Sequence, residues 1–286
     1  MKKRTWVFYT FITTFFWGIW GALIEIPEKA GFPATLGYCV WALTMIPCAA
    51  VALKMVGWKL NFDRKSILIG CSVGLLGALG QLILFKALES GPAYLVFPIV
   101  SLFPVITIVL SATILREQTS RKQWVGIGVA LIAIPFLSYQ SPNHNMHLGY
   151  DWLFLAIAVF LMWGIQAFAM KFGNESMSAE SIFLYMTLSA LTLTPLAFWM
   201  TDSTKVIHWG FKGPYLAAII QIFNAIGALS LVYALRYGKS IVVVPITSLA
   251  PVLTIIISLV LYAVFPHYMV LIGMILAIMA IYILAE

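Results

Sequence analysis

The chain has 286 residues, of which 62% are hydrophobic and only 9% charged, with a mean hydropathy of +1.00. A soluble domain carries roughly 25% charged residues, so the composition excludes a protein with a wettable surface. The net charge of +7 does not mark a nucleic-acid binder, because the basic residues form no patch and sit in short clusters between apolar runs. Clusters of that kind set orientation in a membrane.

In chain order, the first element is an apolar run over residues 6–24 behind Lys2, Lys3 and Arg4. It is too long for a signal-peptide core, and no small-residue cleavage site follows it, so it is expected to be the first transmembrane helix. A spanning helix needs about 20 mostly apolar residues. Further runs cover residues 30–53, 66–85, 90–115 and 123–139, then 152–170, 181–201 and 213–235. The last run, 240–285, is about twice the length needed and is broken at Phe265-Pro266-His267, so it counts as two. The expected fold is all-α and integral to the membrane, with ten transmembrane helices. Cys39, Cys48 and Cys71 lie inside apolar runs at no metal or redox spacing, and read as small buried hydrophobes.

The run pattern repeats. Trp17-Gly18-Ile19 in helix 1 returns as Trp163-Gly164-Ile165 in helix 6. Ala87-Leu88, Gly91, Pro98, Ser101 and Pro104 return as Ala234-Leu235, Gly238, Pro245, Ser248 and Pro251, and Gly126 returns as Gly273. The offset is nearly constant. The chain therefore divides into two five-helix repeats, residues 1–139 and 151–286. An odd number of helices per repeat inverts the second relative to the first, an architecture common among secondary transporters. With the N-terminus inside, 13 of the 17 basic residues are cytoplasmic and only Lys29, Lys86, Lys205 and Lys212 are external. Both termini are thus expected in the cytoplasm of a cell (inner) membrane protein, with residues 140–150 as an external loop.

Several strings carry a family resemblance: Gly80-Gln81-Leu82-Ile83-Leu84-Phe85-Lys86-Ala87-Leu88, then Pro98-x-x-Ser-x-x-Pro104, then Arg116-Glu117 and Gln123-Trp124-Val125-Gly126. Together they resemble the drug/metabolite transporter superfamily and, within it, the ten-helix EamA-type branch. The resemblance covers both halves. It implies a substrate pathway between them, surrounded by helices 1, 3, 4, 6, 8 and 9. The four-helix multidrug exporters of that superfamily carry a glutamate deep in their first helix. Here the only acid of helix 1 is Glu25, near its outer end, which weighs against a proton/drug antiporter. The Gly-Gln…Lys-Ala…Gly…Pro-Ile pattern is also similar to the glucose/ribose uptake branch.

Polar groups at membrane depth need a partner or a wet cavity. Gly70, Gly74, Gly77 and Gln81 share one face of helix 3, and Gln221, Asn224 and Ala228 share the equivalent face of helix 8. The amides either line a pocket or join helices by hydrogen bonds, and the glycines also suit close packing. Trp17 and Trp20 of helix 1 correspond to Trp163 and Gln166 of helix 6, either as a rigid pocket wall or as packing. Lys86 with Glu25 or Glu89 offers a charge pair or gate, or simply a snorkelling lysine. Pro98, Pro104, Pro245 and Pro251 break helices 4 and 9 at matched positions, which points to the binding site and the moving parts.

The four histidines fall in loops or at helix ends, and there is no His-Glu-x-x-His, no nucleophile–base arrangement and no phosphate-binding loop. No enzyme, cofactor or metal site is therefore expected, and the partners are a small-molecule substrate and the lipid bilayer. Two fused halves make a monomer sufficient, with a homodimer allowed. Midplane tryptophans beside neutral amides, with no acid for a cation and no arginine for a phosphate, suggest export of a neutral or zwitterionic metabolite such as an amino acid. Sugar uptake is the alternative, and multidrug export ranks below it.

Overall fold

The computed structural model describes residues 5–114, 116, 120–137, 139, 149–202, 204, 206–262 and 267–285. Most of the expected 140–150 loop, Glu117 of the Arg-Glu pair and Phe265-Pro266 lie outside them, as does the side chain of Pro251. All regular structure among the described residues is helical. The first half holds α1 (Thr5–Leu23), α2 (Glu25–Lys29), α3 (Ala34–Met55), α4 (Arg64–Ser90), α5 (Ala93–Val100), α6 (Pro104–Thr113) and α7 (Arg121–Leu137). The second holds α8 (Asp151–Asn174), α9 (Ala179–Thr192), α10 (Thr194–Trp199), a π-helical turn (Phe211–Tyr215), α11 (Leu216–Tyr237), α12 (Ser240–Thr247), α13 (Ala250–Tyr262) and α14 (Tyr268–Ala285).

Seven helices among the described residues are long and apolar enough to cross a membrane: Thr5–Lys29, Ala34–Met55, Arg64–Ser90, Leu95–Thr113, Asp151–Asn174, Ala179–Trp199 and Phe211–Tyr237. The remaining expected spans are shorter or interrupted, namely α7, α14 and the broken pair α12–α13. The outward faces stay apolar, with Phe11, Leu68, Phe154 and Phe198 exposed. Helices that are apolar all round belong in a membrane or a large core. The chain is a multi-pass membrane protein.

Local chemistry sets the helix starts. Asp63 caps α4, with Oδ2 accepting from the Ser66 N–H at 3.1 Å and Oδ1 from the Ser66 hydroxyl at 2.6 Å. Those two bonds favour the charged carboxylate and hold its pKa below the ordinary value. Ser178 caps α9 in the same way, its Oγ accepting from the Ser181 N–H at 3.2 Å.

The breaks in helices 4 and 9 fall between the matched prolines. Pro98 lies inside α5 and Pro104 opens α6; Pro245 lies inside α12 and Pro251 is the second residue of α13. The prolines at 104 and 251 have no N–H with which to continue the helix. The chain tightens there into 3₁₀-type bonds: Leu102 N–H to Ile99 O and Phe103 N–H to Val100 O, both 3.1 Å, and Leu249 N–H to Ile246 O, also 3.1 Å. In the first break the Ser101 hydroxyl donates to the Pro98 carbonyl at 2.7 Å, replacing the α-helical partner that carbonyl has lost.

The helices pack across the halves. The pairs α4 with α8 and α1 with α11 make the long contacts, flanked by α4 with α9 and α3 with α11. α7 packs on α14 at the periphery. The face between the halves is where the buried polar residues collect.

Candidate functional site

A cavity of about 80 Å³ opens between the halves. A water needs about 10–15 Å³ in such a measure, so it holds several. Five of the residues singled out in the sequence line it through α1, α4 and α8: Trp17, Trp20, Gln81, Trp163 and Gln166. Asn224 joins them from α11. Gly74 and Gly77 also line it, whereas Gly70 lies against the Tyr185 ring and serves packing.

The two halves present the same contacts to each other. A Cβ added at Gly80 would lie 2.6 Å from Trp163 Nε1, and one at Gly227 would lie 2.5 Å from Trp17 Cδ1. Each indole therefore rests on a glycine of the opposite half. The Thr107 hydroxyl donates to the Gly164 carbonyl at 2.9 Å, and the Thr254 hydroxyl donates to the Gly18 carbonyl at 3.1 Å. Helices 1 and 6 are thus each tied to the broken helix of the other half by a buried threonine.

The polar side chains interlock. The Asn224 amide donates to Gln81 Oε1 at 3.3 Å, and Trp17 Nε1 donates to the Asn224 backbone carbonyl at 3.3 Å. Trp20 Nε1 donates to Gln221 Oε1 at 3.0 Å, while the Trp20 ring meets Phe97 edge-on at 5.7 Å. Gln221 does not line the central cavity. It lies behind Trp20 on a second, smaller cavity that it shares with Glu28 and Phe32. Trp20 lines the central cavity and Gln221 the smaller one, so the hydrogen-bonded pair stands between the two spaces.

The charged residues near the helix ends pair locally. Lys86 meets Glu89 at 2.5 Å, three residues along α4, and Glu25 meets Lys29 at 2.5 Å, four residues along α2. Both pairs have ordinary helical spacing, and neither of these pairs crosses between the halves. Pro98, Pro104 and Pro245 do not line the cavity; residues around the two breaks do, namely Phe97, Ser101, Phe103, Thr247, Ser248 and Ala250.

The sequence reading missed a substantial part of the wall. α3 contributes Trp41 and Met45 and α9 contributes Met186, although helices 2 and 7 were outside the set implied by the resemblance. Met170 and Ser248 complete the omissions that matter here. Ser248 could have been found, since it stands in the repeated Pro-x-x-Ser motif. The methionines gave no signal, because an apolar residue on an all-apolar helix is indistinguishable from a lipid-facing one. A further omission lies outside the cavity, where Asn61 in the α3–α4 loop accepts from the Ser178 N–H at 3.0 Å and the Ser181 hydroxyl at 3.2 Å.

The lining among the described residues contains no ionisable side chain. Its surface is made of aromatic, thioether and amide groups. Comparisons with known proteins give relatives, a shared fold and a family. Protein RarD of Streptomyces exfoliatus is 24% identical over 265 residues, spanning 87% of this chain and 76% of its own length. An uncharacterised protein of Methanocaldococcus jannaschii is 33% identical over 97 residues, covering 34% of this chain and 70% of that protein. A protein of known crystal structure superposes with a TM-score of 0.70 at 17% identity, over 96% of this chain and 94% of the other, and so shares the fold. The profile of the EamA-like transporter family matches residues 4–139 and, a second time, 151–285. Since that match takes in the cavity walls contributed by both halves, the chain belongs to the EamA-like transporters of the drug/metabolite transporter superfamily and is a membrane transporter of small solutes.

Proposed function

We propose that the protein is a secondary transporter that exports a small neutral or zwitterionic organic metabolite, with an amino acid as the type case. In this reading the central cavity is the substrate site, and Trp17, Trp20, Gln81, Trp163, Gln166 and Asn224 form its wall. Gln221 acts from behind, by holding Trp20. Transport proceeds by alternating access between two inverted five-helix repeats, residues 1–139 and 151–286, which together make ten spans. The reciprocal contacts support that symmetry, with Trp17 on Gly227 answered by Trp163 on Gly80, and Thr254 to Gly18 answered by Thr107 to Gly164. Rocking of one repeat against the other is the usual motion of such folds, and the broken helices at 101–103 and 248–249 are where it would bend. The excess of lysine and arginine on one set of loops supports an orientation with both termini in the cytoplasm of the cell (inner) membrane. We read the chain as a carrier and not an enzyme, able to work as a monomer.

The observation that carries the proposal is the convergence of four tryptophans and three amides from both halves on one cavity. It is tested by counterflow in proteoliposomes, after a thermal-shift screen of amino acids, free hexoses, sugar phosphates and lipophilic cations. A ligand at 100 times its dissociation constant stabilises by about 2.7 kcal/mol, well within detection. Trans-stimulated, saturable flux of an amino acid or a similar solute is expected. Stabilisation and flux confined to sugar phosphates or lipophilic cations would overturn the reading, and flux confined to hexoses would replace it with sugar uptake.

A further inference from the structure

Five buried side-chain polar atoms among the described residues have no hydrogen-bond partner, and three of them belong to residues that line the central cavity: Trp41 Nε1, Gln81 Nε2 and Ser248 Oγ. Native proteins leave few such atoms, and each needs an explanation.

Related groups nearby are satisfied. Ser101 occupies the matching place in the first repeat and donates to the Pro98 carbonyl at 2.7 Å, whereas Ser248 makes no such bond to its own turn. The indoles of Trp17 and Trp20 both donate, to the Asn224 carbonyl and to Gln221, but that of Trp41 does not. Gln81 has its oxygen engaged by Asn224 and its nitrogen free. Indole N–H and amide NH₂ only donate, and a serine hydroxyl can donate as well. The unmet demand on this wall is therefore for acceptors. The same lining holds the large aromatic and thioether groups of Trp163, Phe103, Met170 and Met186 and, as further polar groups, Gln166, Asn224, Ser101, Thr247 and Thr254. An ion or zwitterion entering it would lose hydration without a counter-charge among the described lining residues, which is costly.

We propose that Trp41, Gln81 and Ser248 are the donors that hold the solute, and that the solute is an uncharged, hydrogen-bond-accepting molecule with an apolar body. This rests on the central cavity being the substrate site and narrows the neutral-or-zwitterionic class to its uncharged members, so that an uncharged derivative replaces the free amino acid as the type case. Trp41 and Ser248 become specificity-determining residues.

The test uses the purified full chain and four probes that share one body: N-acetylphenylalaninamide (uncharged), N-acetylphenylalanine (anion), phenylalaninamide (cation) and phenylalanine (zwitterion). Dissociation constants are read from the concentration dependence of the thermal shift. The uncharged probe is expected to bind at least tenfold tighter than the other three. Ser248→Ala, Trp41→Phe and Gln81→Leu should each weaken it by about twofold to tenfold, the value of one lost hydrogen bond. Equal or tighter binding of any charged or zwitterionic probe overturns the uncharged assignment. Affinity unchanged in all three variants but lost in Trp163→Ala overturns the donors while leaving the cavity as the site. Binding indifferent to Trp163→Ala as well removes the cavity itself, and no binding by any of the four overturns the proposal.

Discussion

The seating of each indole on a glycine of the opposite repeat can be tested by adding one carbon. In Gly80→Ala the new Cβ would lie 2.6 Å from Trp163 Nε1 and 2.8 Å from its Cδ1. Carbon contacts settle at about 3.5–4.0 Å, so the rigid indole must retreat by about 1 Å. Overpacking of that kind costs about 1–3 kcal/mol, offset by the roughly 1 kcal/mol that alanine gains over glycine in a helix. The expected net loss is about 0–2 kcal/mol. Gly227→Ala should cost more, because the displaced Trp17 ring also loses its 3.3 Å bond to the Asn224 carbonyl, bringing the loss to about 1–3 kcal/mol. Gly128 in α7 is the internal control, since nothing lies within 4 Å of its Cβ position. Gly128→Ala should be stabilising. Thermal unfolding in detergent reads all three, and a cycle combining Gly80→Ala with Trp163→Leu should recover most of the loss. If Gly80→Ala and Gly227→Ala stabilise as Gly128→Ala does, the indoles are not seated on those glycines and the reciprocal packing argument fails.

Gln81→Ala and Asn224→Ala should each lower transport with little loss of stability. Because Asn224 donates to Gln81 at 3.3 Å, the double variant should lose less than the sum, and strict additivity in transport assays would show that the amides act apart. Pro98→Ala combined with Pro245→Ala should slow exchange more than it weakens binding, measured as counterflow rate against thermal-shift affinity; equal losses would make the breaks static parts of the pocket. Single cysteines introduced at 140–150 in a cysteine-free variant should react with an impermeant reagent on intact cells, and protection there with labelling at Arg116 and Lys122 would reverse the topology.

Seven of the expected spans among the described residues, and the breaks between the matched prolines, were legible in the sequence because they depend on composition and proline, which act locally. Residues such as Pro104 and Pro251 remove a backbone donor, which locally favours a kink or break. The side-chain assignments were legible only where a costly group at depth demanded an explanation, as with Gln81 and Asn224. Gln221 shows the limit. Its helical face is shared with Asn224, yet its amide is turned aside by the Trp20 indole from the other half, a contact that no pattern within α11 announces. Trp41, Met45, Met170 and Met186 were hidden for a related reason. On helices apolar all round, periodicity does not separate the cavity face from the lipid face, and only the packing of α3 and α9 on their neighbours decides it. The Lys86 pairing was foreseeable from its three-residue spacing to Glu89, whereas the pairing of Glu25 with Lys29 shows that a local partner was at hand for the other carboxylate too.

The central claim is that one cavity, shared by both repeats, faces each side of the membrane in turn. A single cysteine in place of Gln166, in a variant with Cys39, Cys48 and Cys71 replaced, puts a reporter on its wall. Right-side-out and inside-out vesicles are then treated with an impermeant thiol reagent. The account predicts labelling from both faces, while the reagent itself does not cross. Labelling from one face only, or from neither, would contradict it.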